Sequence, residues 1–248
     1  MDLYGLVGKH LEHSWSENFF TEKFSRENVD ACYRLFPMDK IELLPDLLAS
    51  HPHLKGLNIT IPYKKAIIPY LDGIQKAAKM SGAVNTVVIK KRKNETKLIG
   101  YNTDIIGFTQ TLEKILHRKI QSALILGAGG ASQAVQFVLR SKGIAFTVVS
   151  RETKKMDQLS YDTMNPVDMR NNLLIINTTP VGMFPHIEHF PNIPYQYITK
   201  DHILIDLIYN PESTEFLRKG KEIGAFTMNG LEMLHAQAEA AWRIWNSR

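Results

Sequence analysis

The chain has a single cysteine, Cys32, so no internal disulfide framework is open to it. A lone thiol beside Tyr33 reads as core packing, and the cytoplasm is the expected compartment. No apolar run approaches the roughly 20 residues that span a bilayer, and Met1 to Gly8 lacks the basic-then-apolar pattern of a leader, so no membrane role is expected. Neither sign of charge prevails. There are 30 basic and 25 acidic residues, a net charge of +5, and the basic ones are scattered apart from short clusters such as Lys90-Lys91-Arg92-Lys93. Zinc-finger spacing, a basic helix and an aromatic RNA-binding signature are all missing, which removes nucleic acid as an expected partner and leaves small anionic ligands. Internal repeats, low-complexity tracts and long linkers are absent too. What remains is an ordinary globular composition: 248 residues, 44% of them hydrophobic, enough for one large domain or two small ones.

The most informative stretch runs Ala123-Leu124-Ile125-Leu126-Gly127-Ala128-Gly129-Gly130-Ala131-Ser132. The apolar run reads as a buried strand. After the glycines, Ala131, Ala134, Val135, Val138 and Leu139 recur at helical spacing. Gly143 ends that helix and Ile144–Val149 supplies a second strand. Backbone N–H groups at a helix start carry the positive end of its dipole, and glycines there let a pyrophosphate approach closely. The third glycine of the dinucleotide fingerprint is replaced by Ser132, so the strand-turn-helix-strand context carries the reading. An NAD site sets an acid at the end of the second strand, where this chain has Ser150-Arg151-Glu152-Thr153. A guanidinium there suits a 2′-phosphate, which favours NADP.

Up to about Asn102 the chain alternates strands and helices. The strands are Leu3–Gly8, Cys32–Phe36, Leu57–Ile61 and Ala83–Lys90; the helices are Ser16 to about Phe24 and one near Pro45–Ser50. A second α/β series follows a helix whose expected apolar face is Ile105, Phe108, Thr109, Leu112 and Leu116, and it includes Leu173–Asn177 and Ile203–Leu207. The expected fold class is therefore α/β, with two α/β domains and a cleft between them. A final helix, Leu231 to Trp245, is expected to return to the first domain.

Reducing a carbonyl with a nicotinamide requires a proton donor near the oxygen and a group that orients the donor. Asn58-Ile59-Thr60-Ile61-Pro62-Tyr63-Lys64-Lys65 puts a lysine just past a strand's carboxyl end, where open α/β sheets bind ligands. In Gly100-Tyr101-Asn102-Thr103-Asp104 a polar triplet opens a helix; taken alone, Asp104 reads as an N-cap or first-turn acid and Lys64 as a surface lysine.

Together with His13-Ser14-Trp15-Ser16, Gly82-Ala83-Val84-Asn85-Thr86, Asn177-Thr178-Thr179-Pro180-Val181-Gly182-Met183, Asp206-Leu207-Ile208-Tyr209-Asn210-Pro211 and Gly230-Leu231-Glu232-Met233-Leu234-His235-Ala236-Gln237, these segments resemble the NADP-dependent shikimate dehydrogenase family, in family order along nearly the whole chain. The resemblance implies a substrate domain over residues 1–103 completed by 231–248, and a Rossmann-type NADP domain over 104–230. It implies interconversion of shikimate and 3-dehydroshikimate, in aromatic amino-acid and chorismate biosynthesis, by a monomer or homodimer. Lys64 and Asp104 match the family's catalytic pair. Ser14, Ser16 and Tyr209 would donate to the substrate carboxylate, and Thr60, Asn85 and Gln237 would meet ring hydroxyls. Gly127, Ala128, Gly129, Gly130 and Ala131 would hold the pyrophosphate, and Ser150, Arg151 and Thr153 the 2′-phosphate. Thr178, Gly230 and Met233 would border the nicotinamide. His13 reads as a structural hydrogen-bonding residue. The prolines that often flank the His-Ser segment in the family are replaced here, with Lys9-His10-Leu11-Glu12 before it and Glu17 after Ser16. His186 and His189 lack the further ligands of a zinc site, so no metal is expected. The rival readings are a quinate/shikimate dehydrogenase using NAD, and a non-catalytic ligand-sensing relative.

Overall fold

The computed structural model describes residues 1–12, 14–92, 95–118, 120–151 and 158–247. The chain divides into two compact units, Met1–Thr103 with Ala238–Arg248, and Asp104–Gln237.

The first unit contains β1 (Asp2–Gly8), α1 (Trp15–Arg26), β2 (Ala31–Pro37), α2 (Leu44–Ser50), β3 (Leu54–Ile59), α3 (Tyr63–Ala66), β4 (Gly73–Ile74), α4 (Lys76–Ser81), β5 (Thr86–Arg92) and β6 (Glu95–Tyr101). Its strands lie in the order β2-β1-β3-β5-β6-β4. β1 pairs parallel with both β2 and β3, whereas β5 runs antiparallel to β3 and β6. One face packs Val7, Leu54, Leu57, Ile59 and Ile67; the other packs Tyr4, Phe20, Phe24, Tyr33 and Trp245.

The second unit contains α5 (Asp104–Glu113), β7 (Ser122–Leu126), α6 (Gly130–Ser141), β8 (Ala145–Ser150), β9 (Gln158–Ser160), α7 (Pro166–Asn171), β10 (Leu174–Asn177), β11 (Ile203–Asp206), α8 (Glu215–Ile223), β12 (Phe226–Met228) and the start of α9 (Leu231–Trp245). Every pairing in its sheet is parallel, in the order β12-β11-β10-β7-β8-β9. Numbered within the unit and read from the β9 edge, that is 3-2-1-4-5-6, the dinucleotide-binding order, with its topological switch point between β7 and β10. Leu124, Ile125, Leu126, Ile175 and Ile176 are fully buried, as strands covered on both faces require.

The division falls inside α9. Met233 belongs to the second unit's core, while Ala238, Ala241 and Trp245 belong to the first unit's aromatic cluster. Trp245 donates from Nε1 to the Val87 carbonyl at 3.0 Å, over Gly56, where a Cβ would lie 2.3 Å from that nitrogen. Lys23, buried to 4% exposure, is held by Glu27 and Glu239 at 2.6 and 2.9 Å and ties α9 to α1.

Several expected boundaries move, each for a local reason. β3 stops at Ile59 rather than Ile61 because Thr60 opens a turn, its carbonyl accepting from Tyr63 N. β5 begins at Thr86 rather than Ala83: Val84 N donates to Lys64 O, and Ala83 O accepts from the Asn102 amide, so this backbone is already paired off the ladder. α5 ends at Glu113, and the following turn buries Ile115 and exposes Leu116, the reverse of a continued helix. On α6 the buried stripe takes in Ser132 while Ala131 stays half-buried. Ser14 caps α1, and Ser16 lies in its first helical turn beside Trp15, which stacks on Phe19 at 4.5 Å. No helix among the described residues is long and apolar enough to cross a membrane.

Candidate active site

In the first unit the expected substrate residues collect at the carboxyl ends of the adjacent parallel strands β1 and β3. Ser14 follows β1, and its Oγ accepts from Ser16 N at 3.3 Å, so the hydroxyl hydrogen is free of the cap. Thr60 follows β3, and its N–H donates to Val7 O at 2.9 Å; a Cβ on Gly8 would lie 2.4 Å from the Thr60 methyl, so glycine sets this close approach. Lys64 is half-buried on α3, whereas its neighbour Lys65 is exposed. Asn85 leads into β5 at the same edge, its carbonyl accepting from Ile59 N at 2.8 Å.

Asn85 is also a hub of buried hydrogen bonds. Its Oδ1 accepts from Thr103 N at 2.7 Å and from Thr86 Oγ1 at 3.1 Å, and its Nδ2 donates to Thr103 Oγ1 at 3.0 Å. That pins the backbone immediately before Asp104, which is itself buried as the first residue of α5. The network continues through Thr86 to Asn58, whose Oδ1 accepts from the Tyr33 hydroxyl at 2.8 Å. Burial holds that phenol well above its ordinary range. Asn102 gives its amide hydrogens to Ser81 Oγ and Ala83 O, which leaves Oδ1 as a buried acceptor with no protein partner. Neither Asn58 nor Asn102 announces such a place by spacing; only the strand pairing brings them together.

In the second unit the glycine turn follows β7 at the switch point. Gly127 adopts φ +105, and a Cβ there would meet Thr179 Cγ2 at 2.8 Å and Thr178 Oγ1 at 2.9 Å. Thr178, at the end of β10, donates from its hydroxyl to Leu126 O at 2.7 Å, so the two strand ends are locked together. Gly129 is the N-cap of α6, and no side chain caps that helix. A Cβ on Gly129 would meet nothing within 4 Å. Open space over uncapped helical N–H groups is a cradle that fits a pyrophosphate. Ala128 is exposed, and Gly130 and Ala131 form the first turn of α6. Ser132, where the fingerprint has its third glycine, is fully buried and its Oγ accepts from Gln136 Nε2 at 2.9 Å.

Ser150 is the buried last residue of β8 and Arg151 beyond it is exposed. Thr153 lies outside the described residues, as does His13. Gly230 is required by a close approach: a Cβ would lie 2.1 Å from Leu207 O. Met233 is 7% exposed and packs in the second unit's core. Gln237 donates to Leu234 O, and Tyr209 is half-buried beyond β11. His186, Glu188 and His189 have ligand atoms within 4.8 Å of one another, all exposed. This exposed loop brings together three potential ligands, one fewer than the four protein ligands of a structural zinc site.

The sequence also gives no hint of a buried cluster at Asp206, whose carboxylate accepts from Thr214 Oγ1 at 2.6 Å, Asn177 Nδ2 at 3.0 Å and Ile208 N at 3.1 Å. Burial pushes this carboxyl up to about 6, against the pull of those donors. A raised acid pKa means that the folded state holds the proton more tightly than the unfolded one, so stability is lost as pH rises from about 4 through 6. Relative to an Asp206→Asn variant, the wild type is expected to lose roughly 3 kcal/mol across that window. Urea unfolding of both proteins at the two ends measures it; a constant difference contradicts it.

Fold and site define a two-unit nucleotide-dependent oxidoreductase of the α/β class. A family profile described as the shikimate dehydrogenase substrate binding domain matches residues 6–87. The shikimate dehydrogenase (NADP(+)) of Methanococcus aeolicus is 39% identical over 98% of this chain and 91% of its own. Among solved structures, a shikimate dehydrogenase in complex with NADP+ superposes with a TM-score of 0.86 at 34% identity, covering 99% of this chain and 90% of that one. A quinate dehydrogenase from Corynebacterium glutamicum in complex with NAD gives 0.82 at 28% identity, covering 99% and 93%. This chain belongs to the shikimate dehydrogenase family.

Proposed function

We propose that this protein reduces 3-dehydroshikimate to shikimate with NADPH, reversibly, as a step of aromatic amino-acid and chorismate biosynthesis in the cytoplasm. The observation that carries the reading is the near full-length likeness to enzymes of that name, which runs through both units. The first unit, with the second half of α9, is the substrate domain, and the second unit binds NADP. Bound NADPH supplies the hydride. Lys64 delivers the proton to the oxygen that becomes the hydroxyl, and Asp104 is its orienting carboxylate. Ser14, Ser16 and Tyr209 take the substrate carboxylate, and Thr60, Asn85 and Gln237 the ring hydroxyls. Because Asn85 already spends much of its amide on Thr103, its part includes fixing the backbone that leads to Asp104. Such a site rejects analogues lacking a hydroxyl, since its own polar groups would be left unpaired.

Gly127 to Ala131 hold the pyrophosphate, Ser150, Arg151 and Thr153 the 2′-phosphate, and Thr178, Gly230 and Met233 border the nicotinamide. The likeness to an NAD-linked quinate dehydrogenase makes the second reading concrete, and the exposed Arg151 favours the first. Steady-state rates with shikimate and quinate against NADP+ and NAD+ separate them. Arg151→Ala is expected to raise KM for NADP+ roughly tenfold, the value of one or two charge-assisted bonds, and to leave NAD+ unaffected. Equal losses with both cofactors would count against a 2′-phosphate contact.

A further inference from the structure

We infer that Asp206 is a positioning residue for the cofactor: it clamps the strand-end segment Thr178–Gly182 in the shape that receives the nicotinamide. The inference rests on the NADP reading above and adds a residue to it. Asp206 ends β11 and Asn177 ends the neighbouring β10, paired in register. Asp206 Oδ1 takes the Asn177 amide hydrogen, which turns Asn177 Oδ1 outward along the chain to accept from Thr179 N at 3.0 Å and Thr179 Oγ1 at 2.7 Å. Thr179 Oγ1 in turn accepts from Val181 N at 3.2 Å. On the other side, Oδ2 takes the hydroxyl of Thr214, the buried N-cap of α8, and Oδ1 takes Ile208 N, at the start of the loop that bears Tyr209. One carboxylate therefore orders both segments that leave these strand ends.

The residue type follows from the geometry. All three groups facing Asp206 are donors, so an acceptor with no hydrogen of its own satisfies them all at once. Gly182, at φ +95 with a Cβ that would lie 2.9 Å from His189 O, closes the far end of the segment. Thr178 fastens the near end to Leu126, beside the glycine turn.

The test uses the full-length protein without cofactor and then with NADP+. In Asp206→Ala, amide exchange of Thr179, Val181 and Ile208 in the cofactor-free protein is expected to speed at least tenfold, the worth of one lost buried bond, and the Kd for NADP+ by calorimetry to rise about tenfold. Asp206→Asn, which keeps the acceptor for Asn177 and Ile208, should recover most of both. If Asp206→Ala does not fold, Thr214→Val removes the hydroxyl that donates to Oδ2, together with the α8 cap it supplies, at near-constant shape, and a threefold or larger change in the same readouts is expected. A merely structural role would lower Tm and leave both the exchange of Thr179 and the NADP+ affinity at wild-type values; that outcome overturns the clamp. A wild type that does not bind NADP+ overturns the parent reading instead, and the exchange arm still judges whether Asp206 orders the segment.

Discussion

Lys64→Ala is expected to lower kcat for shikimate oxidation by about a thousandfold, with KM for NADP+ within a factor of two or three of wild type. The size follows from what is removed. Proton transfer by a positioned side chain contributes between about a hundredfold and ten-thousandfold, and alanine leaves only water to do it. Lys64 sits on the one-turn helix α3, half-buried, with its carbonyl accepting from Val84 N at 2.8 Å, so its backbone is held by β5's lead-in independently of the side chain. The variant should therefore fold, and circular dichroism with steady-state kinetics separates a chemical loss from a structural one. Lys65→Ala is the control: that side chain is exposed and should cost little. Equal losses at both positions would mean that the lysines act only as surface charge.

Gly129→Asp should move stability and cofactor binding in opposite directions. Aspartate is a favoured N-cap and complements the helix dipole, and Gly129 has φ −76, which any residue adopts. A Cβ there meets nothing within 4 Å, so the fold has no objection to the side chain. The protein is expected to hold or gain a few tenths of a kcal/mol. The same carboxylate occupies the cradle and repels a pyrophosphate, and KM for NADP+ should rise a hundredfold or more, as expected when a like charge of several kcal/mol meets a ligand in a partly desolvated site. Thermal unfolding and cofactor titration on one preparation read both effects. Destabilisation with unchanged NADP+ affinity would show that Gly129 serves the turn and not a ligand.

The parts of this protein legible from sequence are those where a local pattern has one physical solution. The run Ala123–Leu126 followed by glycines and the 131–139 periodicity specify a buried strand, a tight turn and a helix, and β7, the turn and α6 follow. The last helix is legible for the same reason, since its apolar stripe spans its whole length. The short strands β4, β9 and β12, two or three residues each, carry too little alternation to be read, and exist because longer neighbours offer them an edge. The site divides the same way. Lys64, Thr60 and the glycines stand beside recognisable strand ends. The Asp206 clamp, the unpartnered Asn102 Oδ1 and the Tyr33-Asn58-Thr86 chain arise from pairing between segments far apart in sequence, and no local spacing encodes them. Ser14 and Ser16 show the intermediate case: the residues were readable, but the cap that separates their roles depends on where α1 starts.

The most direct test of the account is to mix the purified protein with shikimate and NADP+ and follow the absorbance band of reduced nicotinamide. A steady rise is expected that needs both compounds, is far slower with NAD+, and is slowed about a thousandfold by Lys64→Ala. A folded protein that binds NADP+ and still produces no reduced cofactor from shikimate would contradict it.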